Sequence, residues 1–271
     1  MKRLLFSLLT PALVVSFTLT SNTAEGQSDK NQPLYVALGN SLAVGVGSSD
    51  PPTLGYVPLF QEHLKDLLAD PKLGLLNVGH GGDTSTTLIS HGHLDDALDE
   101  LEARNGDNKS KNDVEVVSID IGGNDIFGLL FVCGGGLTPA CLAAITGTFA
   151  TFSFNFDLIL GELRAAAGPD TSIIAMTYYN SLVNPGCPFS PLAPLADIVL
   201  EGGIPVLVPI GLNDLIRSIA ADHDVLVADL VPGGVFPALL GPSQIQPDCL
   251  HANDDGYEII ADEFKDAFKD Q

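Results

Sequence analysis

The sequence predicts an α/β fold, a three-layer α/β/α sandwich around a five-stranded, mainly parallel sheet. Two observations predict it. Short apolar runs recur at residues 34–38, 73–78, 114–121, 172–179 and 225–230, the pattern of strands buried on both faces. Between them the apolar residues fall at helical spacing, and parallel strands need crossovers that are usually helices.

Taken in order, the first run stops at Gly39, after which Tyr56, Phe60, Leu64, Leu67 and Leu68 share one helix face. Leu94, Ala97, Leu98 and Leu101 repeat that pattern after the second run. Residues 125–170, rich in Phe, Gly and Ala, and the proline-rich residues 180–224 exceed a minimal crossover and read as embellishments of one domain. Asp255 and Glu258 have capping-box spacing, and Ile260, Phe264 and Phe268 then recur at helical period, so the last element is a helix. No linker or internal repeat follows the N-terminal segment, and residues 27–271 read as a single domain.

Hydrophobic residues make up 45% and charged residues 17% of the chain, which predicts a packed core rather than disorder. With 12 Lys+Arg against 34 Asp+Glu, the formal charge of −22 argues against a phosphate-backbone binder, so no nucleic-acid partner is expected. Anionic membrane surfaces would repel it as well.

Residues 1–26 have the tripartite pattern of an export signal: Lys2 and Arg3, an apolar run over 4–19, then small and polar residues to Ala24 or Gly26. Thr10, Pro11, Ser16, Thr18 and Thr20 dilute the run, so cleavage is expected, leaving a secreted protein without a stable membrane anchor. An exported chain meets an oxidising compartment, and Cys133, Cys141, Cys187 and Cys249 are read as two disulfides. We favour Cys133 with Cys141, only eight residues apart, and Cys187 with Cys249, although four cysteines allow three pairings.

Four polar clusters lie at the carboxyl ends of predicted strands or in loops beyond them, where open α/β sheets bind ligands. Gly39-Asn40-Ser41-Leu42 follows the first strand and makes Ser41 a candidate nucleophile. The G-x-S-x-G elbow is not matched, since Ala43 stands where its second Gly would be, and Gly45-Val46-Gly47 lacks the third Gly of a dinucleotide loop. A serine hydroxyl needs an imidazole to accept its proton and a carboxylate to hold the imidazole's tautomer. Asp248 and His251, in Pro247-Asp248-Cys249-Leu250-His251, supply that pair. Gly82, in the cluster from Asn77 to Thr84, offers a backbone N–H to an anion, and Asn124, in Ile121-Gly122-Gly123-Asn124-Asp125, offers an amide donor. Each cluster taken singly is also an ordinary turn.

The four clusters, in this order, resemble those of the GDSL-type esterases and lipases, the SGNH hydrolases, across nearly the whole chain from Leu34 to the last helix. One departure is Asn40, where that family usually has Asp. The resemblance implies a flavodoxin-like SGNH fold in which Ser41 attacks an ester carbonyl, His251 carries the proton and Asp248 orients His251. In some members a backbone carbonyl orients the histidine instead. It also implies that the Ser41 and Gly82 N–H groups and the Asn124 amide stabilise the oxyanion, and that neither a metal nor an organic cofactor is required.

The expected function is therefore a secreted esterase or lipase acting on small-molecule or lipid esters. A carbohydrate O-acetyl esterase or lysophospholipase on the same triad, or a secreted binding protein on the same scaffold, stays open. The sequence says nothing of oligomeric state. Phe127, Leu129, Leu130, Phe131 and Val132 either line an acyl pocket or fill the core, and core packing is favoured. His91 and His93, two apart and beside Asp95 and Asp96, read as solvated surface rather than a metal site. Asn253-Asp254-Asp255-Gly256 reads as a helix cap rather than a calcium loop.

Overall fold

Strand β1 (Leu34–Gly39) is buried at every residue, because β2 (Gly74–Asn77) pairs along one side of it and β3 (Val114–Asp120) along the other. Next to β3 lie β4 (Ser172–Met176) and then β5 (Leu226–Ala228), giving the order β2-β1-β3-β4-β5 with every pairing parallel. The computed structural model describes residues 31–107, 109–234 and 237–270. The expected export signal, residues 1–26, lies outside them. Several ladders are shorter than the apolar runs because burial outlasts pairing: Leu73 and Leu230 are buried just beyond the ends of β2 and β5.

After β1 come two short helices, α1 (Ser41–Val44) and α2 (Pro51–Leu54), and then α3 (Tyr56–Leu67), which returns the chain to β2. Tyr56, Phe60 and Leu64 are buried as their spacing predicts, joined by Val57, whereas Leu67 in the last turn is exposed. Helices α4 (Ser85–Ser90) and α5 (His93–Asn105) lead to β3. The long β3–β4 crossover holds α6 (Gly123–Phe127), α7 (Leu129–Cys133) and α8 (Pro139–Ala167). By length and composition α8 could cross a membrane, yet Phe152, Phe156, Ile159, Leu160 and Leu163 along it are buried in the protein core. Helices α9 (Ala193–Glu201) and α10 (Leu212–Asp222) precede β5, and α11 (Asp254–Lys269) closes the fold. The side chain of Asn253 caps α11 by accepting the Gly256 N–H at 3.1 Å, so the helix begins before the Asp255–Glu258 spacing suggests.

Helix α3 packs with α11, while α8 packs with α5 and α10. Given the strand order and right-handed crossovers, these groups cover opposite faces of the sheet. The aromatic rings of Tyr56 and Phe264 stack at 4.9 Å between α3 and α11. Disulfides join Cys133 to Cys141 and Cys187 to Cys249. The first links α7 to α8, and the second ties the loop after β4 to the loop before α11. Because β1 connects towards β2 and β3 towards β4, the order reverses between β1 and β3, which opens a crevice at their carboxyl ends.

Candidate active site

At the end of β1 the backbone turns at Gly39 with φ +146°, where a Cβ would collide with the Asp120 carboxylate. Asn40 then caps α1: its Oδ1 accepts the Leu42 N–H at 3.0 Å, and its Nδ2 donates to the Tyr178 hydroxyl at 2.9 Å. An aspartate here would offer the same oxygen to Leu42 but no N–H to Tyr178. Ser41 thereby occupies the first position of α1, at the mouth of the crevice.

Ser41 Oγ lies 2.8 Å from His251 Nε2, and His251 Nδ1 lies 2.6 Å from Asp248 Oδ2. An ionised carboxylate only accepts, so Nδ1 carries the proton and Nε2 is left to accept from the Ser41 hydroxyl. The other Asp248 oxygen accepts the Leu250 and His251 N–H groups at 2.9 and 3.0 Å. Partial burial alone would raise the Asp248 carboxyl, but these hydrogen bonds, led by the His251 ring, hold it below the usual carboxylate range.

Ser41 and His251 stand 210 residues apart in sequence, and a row of hydrogen bonds brings their loops together. Tyr257 Oη donates to the Val46 carbonyl at 2.6 Å, Gln246 Nε2 to the Gly47 carbonyl at 2.7 Å, and Ser49 Oγ to Asp254 at 2.6 Å. Gly47, at φ +98°, permits this approach, since a Cβ there would lie 2.7 Å from the His251 Cβ. On its other side the His251 loop is held by β4-end residues: Tyr179 Oη donates to the Leu250 carbonyl at 3.0 Å and Ser181 Oγ to the Cys249 carbonyl at 2.6 Å.

Asn124 lies in the first turn of α6, and its Nδ2 donates one hydrogen to the Asp83 carbonyl at 2.9 Å. Asp125 accepts the Ser85 N–H at 2.8 Å and the Ser85 hydroxyl, joining the end of β3 to the start of α4. Ser41 and Asn124 line the same cleft, which has about 820 Å³ of empty space including its open mouth. Gly82 sits in an exposed turn at φ +89° and does not line that cleft. The cleft wall is otherwise mainly apolar, with Ile126, Phe127, Leu129, Leu130, Leu195 and Val199 among its residues. The expectation that the 127–132 segment fills the core holds for Leu129 alone, which is buried in the core and also lines the cleft; Phe127 and Leu130 line the cleft, while Phe131 and Val132 are exposed. The short helices α6 and α7, separated at Gly128, turn that segment outward.

Sequence reading missed the support of this site. Asp120, wholly buried at the end of β3, accepts the Tyr56 hydroxyl at 2.7 Å and faces the Asn40 N–H at 3.4 Å. Burial pushes its carboxyl up to about 8, against the lowering effect of these bonds. The polar run Thr177-Tyr178-Tyr179-Asn180-Ser181 after β4 was the available signal for the residues that steady Asn40 and the His251 loop.

The sequence signature of the GDSL-like lipase/acylhydrolase family matches residues 37–259. No curated protein matches the chain. Among solved structures, the lipase Lip_vut3 from a goat rumen metagenome is 16% identical, with a TM-score of 0.60 over 87% of this chain and 97% of its own. The acetylxylan esterase Axe2 of Geobacillus stearothermophilus, a catalytic mutant, is 16% identical with a TM-score of 0.54, covering 89% of this chain and 95% of its own. The psychrotrophic esterase EstA of Pseudoalteromonas is 19% identical with a TM-score of 0.52, covering 89% and 98%. At these identities the likeness is one of fold.

Proposed function

Because the chain belongs to the GDSL-like lipase/acylhydrolase family and is therefore a carboxylic ester hydrolase, we propose that it works through a Ser41-His251-Asp248 triad and is exported to do so. The observation that carries this reading is the continuous hydrogen-bonded chain from the Ser41 hydroxyl through His251 to Asp248. Ser41 Oγ attacks the ester carbonyl carbon as its proton passes to His251 Nε2, and Asp248 stabilises the imidazolium. The carbonyl oxygen becomes an oxyanion, received by the Ser41 N–H and the second Asn124 Nδ2 hydrogen, while the Gly82 N–H expected as a third donor stands in the exposed turn outside the cleft lining. Collapse expels the alcohol, which takes the proton from His251. Water, activated by His251 in turn, then releases the acid and restores Ser41.

The apolar cleft beside Ser41 favours esters with an aliphatic acyl chain over acetylated sugars, because burying each methylene contributes ~0.8 kcal/mol to binding. The two disulfides agree with an oxidising destination. The test is a p-nitrophenyl ester series from acetate to long acyl chains, run with the wild type and Ser41→Ala. A kcat/KM that rises with chain length and falls by several orders of magnitude in Ser41→Ala is expected. Wild-type turnover in Ser41→Ala removes the nucleophile assignment, and activity confined to acetyl esters favours the O-acetyl esterase reading.

A further inference from the structure

Beside the proposed oxyanion loop, three imidazoles surround one buried carboxylate. The Asp83 side chain is 2% exposed, with His93 Nδ1 at 2.5 Å from Oδ2 and the Nδ1 atoms of His80 and His91 at 3.7 and 3.8 Å from Oδ1. One ligand atom from each of His80, Asp83 and His93 falls within 4.8 Å of the others. Spacing alone argued against this cluster, since residues two apart on a single helix point away from each other. The chain is not a single helix here: His91 caps α4, Gly92 turns at φ 85°, and His93 opens α5, so both rings come back to Asp83.

We propose that His80, Asp83 and His93 bind one divalent transition-metal ion of the zinc type, with His91 in reach as a fourth ligand. Imidazole nitrogens with one carboxylate oxygen suit such an ion, whereas calcium and magnesium call for mostly oxygen ligands. Metal–ligand bonds of ~2.0–2.2 Å in a tetrahedron set ligand atoms ~3.3–3.5 Å apart. With one ligand atom taken from each residue, His80, Asp83 and His93 now lie within 4.8 Å of one another, so ring movements of about an ångström bring the set to that spacing. Asp83 and His93 form the anchored half, with side chains 2% and 20% exposed, while His80 and His91, at 61% and 56%, leave an entry route from solvent. An outer partner is already in place, since the Thr87 hydroxyl donates to Asp83 Oδ1 at 3.1 Å. To bind the ion through Nδ1, the neutral His93 ring carries its single N–H hydrogen on Nε2, which leaves the Nδ1 lone pair and the Asp83 carboxylate both free for the metal.

The site uses none of the three triad side chains and stands whether or not the proposed triad does. Its occupancy bears on catalysis through the backbone, because the Asp83 carbonyl is what holds the Asn124 amide. The test is isothermal titration of zinc sulfate into the full chain, purified without a histidine tag and stripped with a chelator. The wild type is compared with His80→Gln, His93→Gln and the controls His223→Gln and His251→Gln, with circular dichroism confirming each fold. One ion per chain is expected, with affinity falling ~100-fold or more in His80→Gln and His93→Gln, at least the loss that follows removal of an outer partner, and unchanged in both controls. If His93→Gln does not fold, the exposed His80→Gln decides. Absence of binding by the wild type, wild-type affinity in a folded His80→Gln or His93→Gln, or loss of binding in His251→Gln overturns the proposal. The first of these outcomes leaves the cluster as a hydrogen-bonded brace alone.

Discussion

Replacing Asp248 by Asn should lower kcat/KM by ~10³–10⁴ while leaving the fold intact. Asp248 Oδ1 accepts two backbone N–H groups, from Leu250 and His251, so the oxygen of the substituted amide stays there and its NH₂ turns toward His251 Nδ1. Nδ1 must then accept, the ring proton moves to Nε2, and Nε2 no longer takes the proton of Ser41. The same forced tautomer in a buried triad costs ~10⁴ in turnover, about 5.5 kcal/mol of barrier. The Asp248 side chain is 45% exposed, so water partly replaces it and sets the lower end of the range. The assay is kcat/KM on p-nitrophenyl butyrate near neutral pH, with thermal unfolding as the fold control. A loss smaller than about tenfold in a folded variant would refute the assignment of Asp248 as the orienting group.

Asn124→Ala should lower kcat by ~10²–10³ with KM little changed, because it removes a donor needed mainly in the transition state; steady-state kinetics showing only a raised KM would contradict that role. Removing Cys187–Cys249 as a double Ala variant should destabilise by ~4 kcal/mol, against ~2.5 kcal/mol for Cys133–Cys141, because they close loops of 62 and 8 residues. Urea unfolding checks the order, and the reverse order would contradict the chain-entropy argument. Burial holds the Asp120 carboxyl up at about 8, above the ~4 of an unfolded chain, so the native state keeps a proton that the unfolded state has lost. Its contribution to stability is full below pH ~4 and is lost as pH rises through about 8. Urea midpoints across that window should fall more steeply for the wild type than for Asp120→Asn, and equal slopes would count against the shift.

The strands and the main helices were legible because burial on two faces and on one face leave different periodicities, as the runs at 34–38 and 114–121 and the stripe of Tyr56, Phe60 and Leu64 illustrate. The candidates Ser41, His251 and Asp248 stood out in the sequence for another reason: strand ends expose their loops, and polar residues collect there. What periodicity could not carry was the pairing of distant loops. The bonds from Tyr257 to Val46 and from Gln246 to Gly47 that bring Ser41 to His251 depend on tertiary contact alone. The buried Asp120–Tyr56 pair was hidden likewise, since Asp120 is one residue short of the end of the 114–121 run and the pattern gives no sign of a partner 64 residues away. Leu129 and Leu130 were ambiguous because an acyl cleft and a core call for the same side chains.

Covalent labelling reaches the central claim most directly. Treated with a fluorophosphonate and digested for mass spectrometry, the protein should carry one adduct, on Ser41, and His251→Ala should abolish it. An adduct on another residue, or undiminished labelling of Ser41 in His251→Ala, would contradict a serine activated by that imidazole.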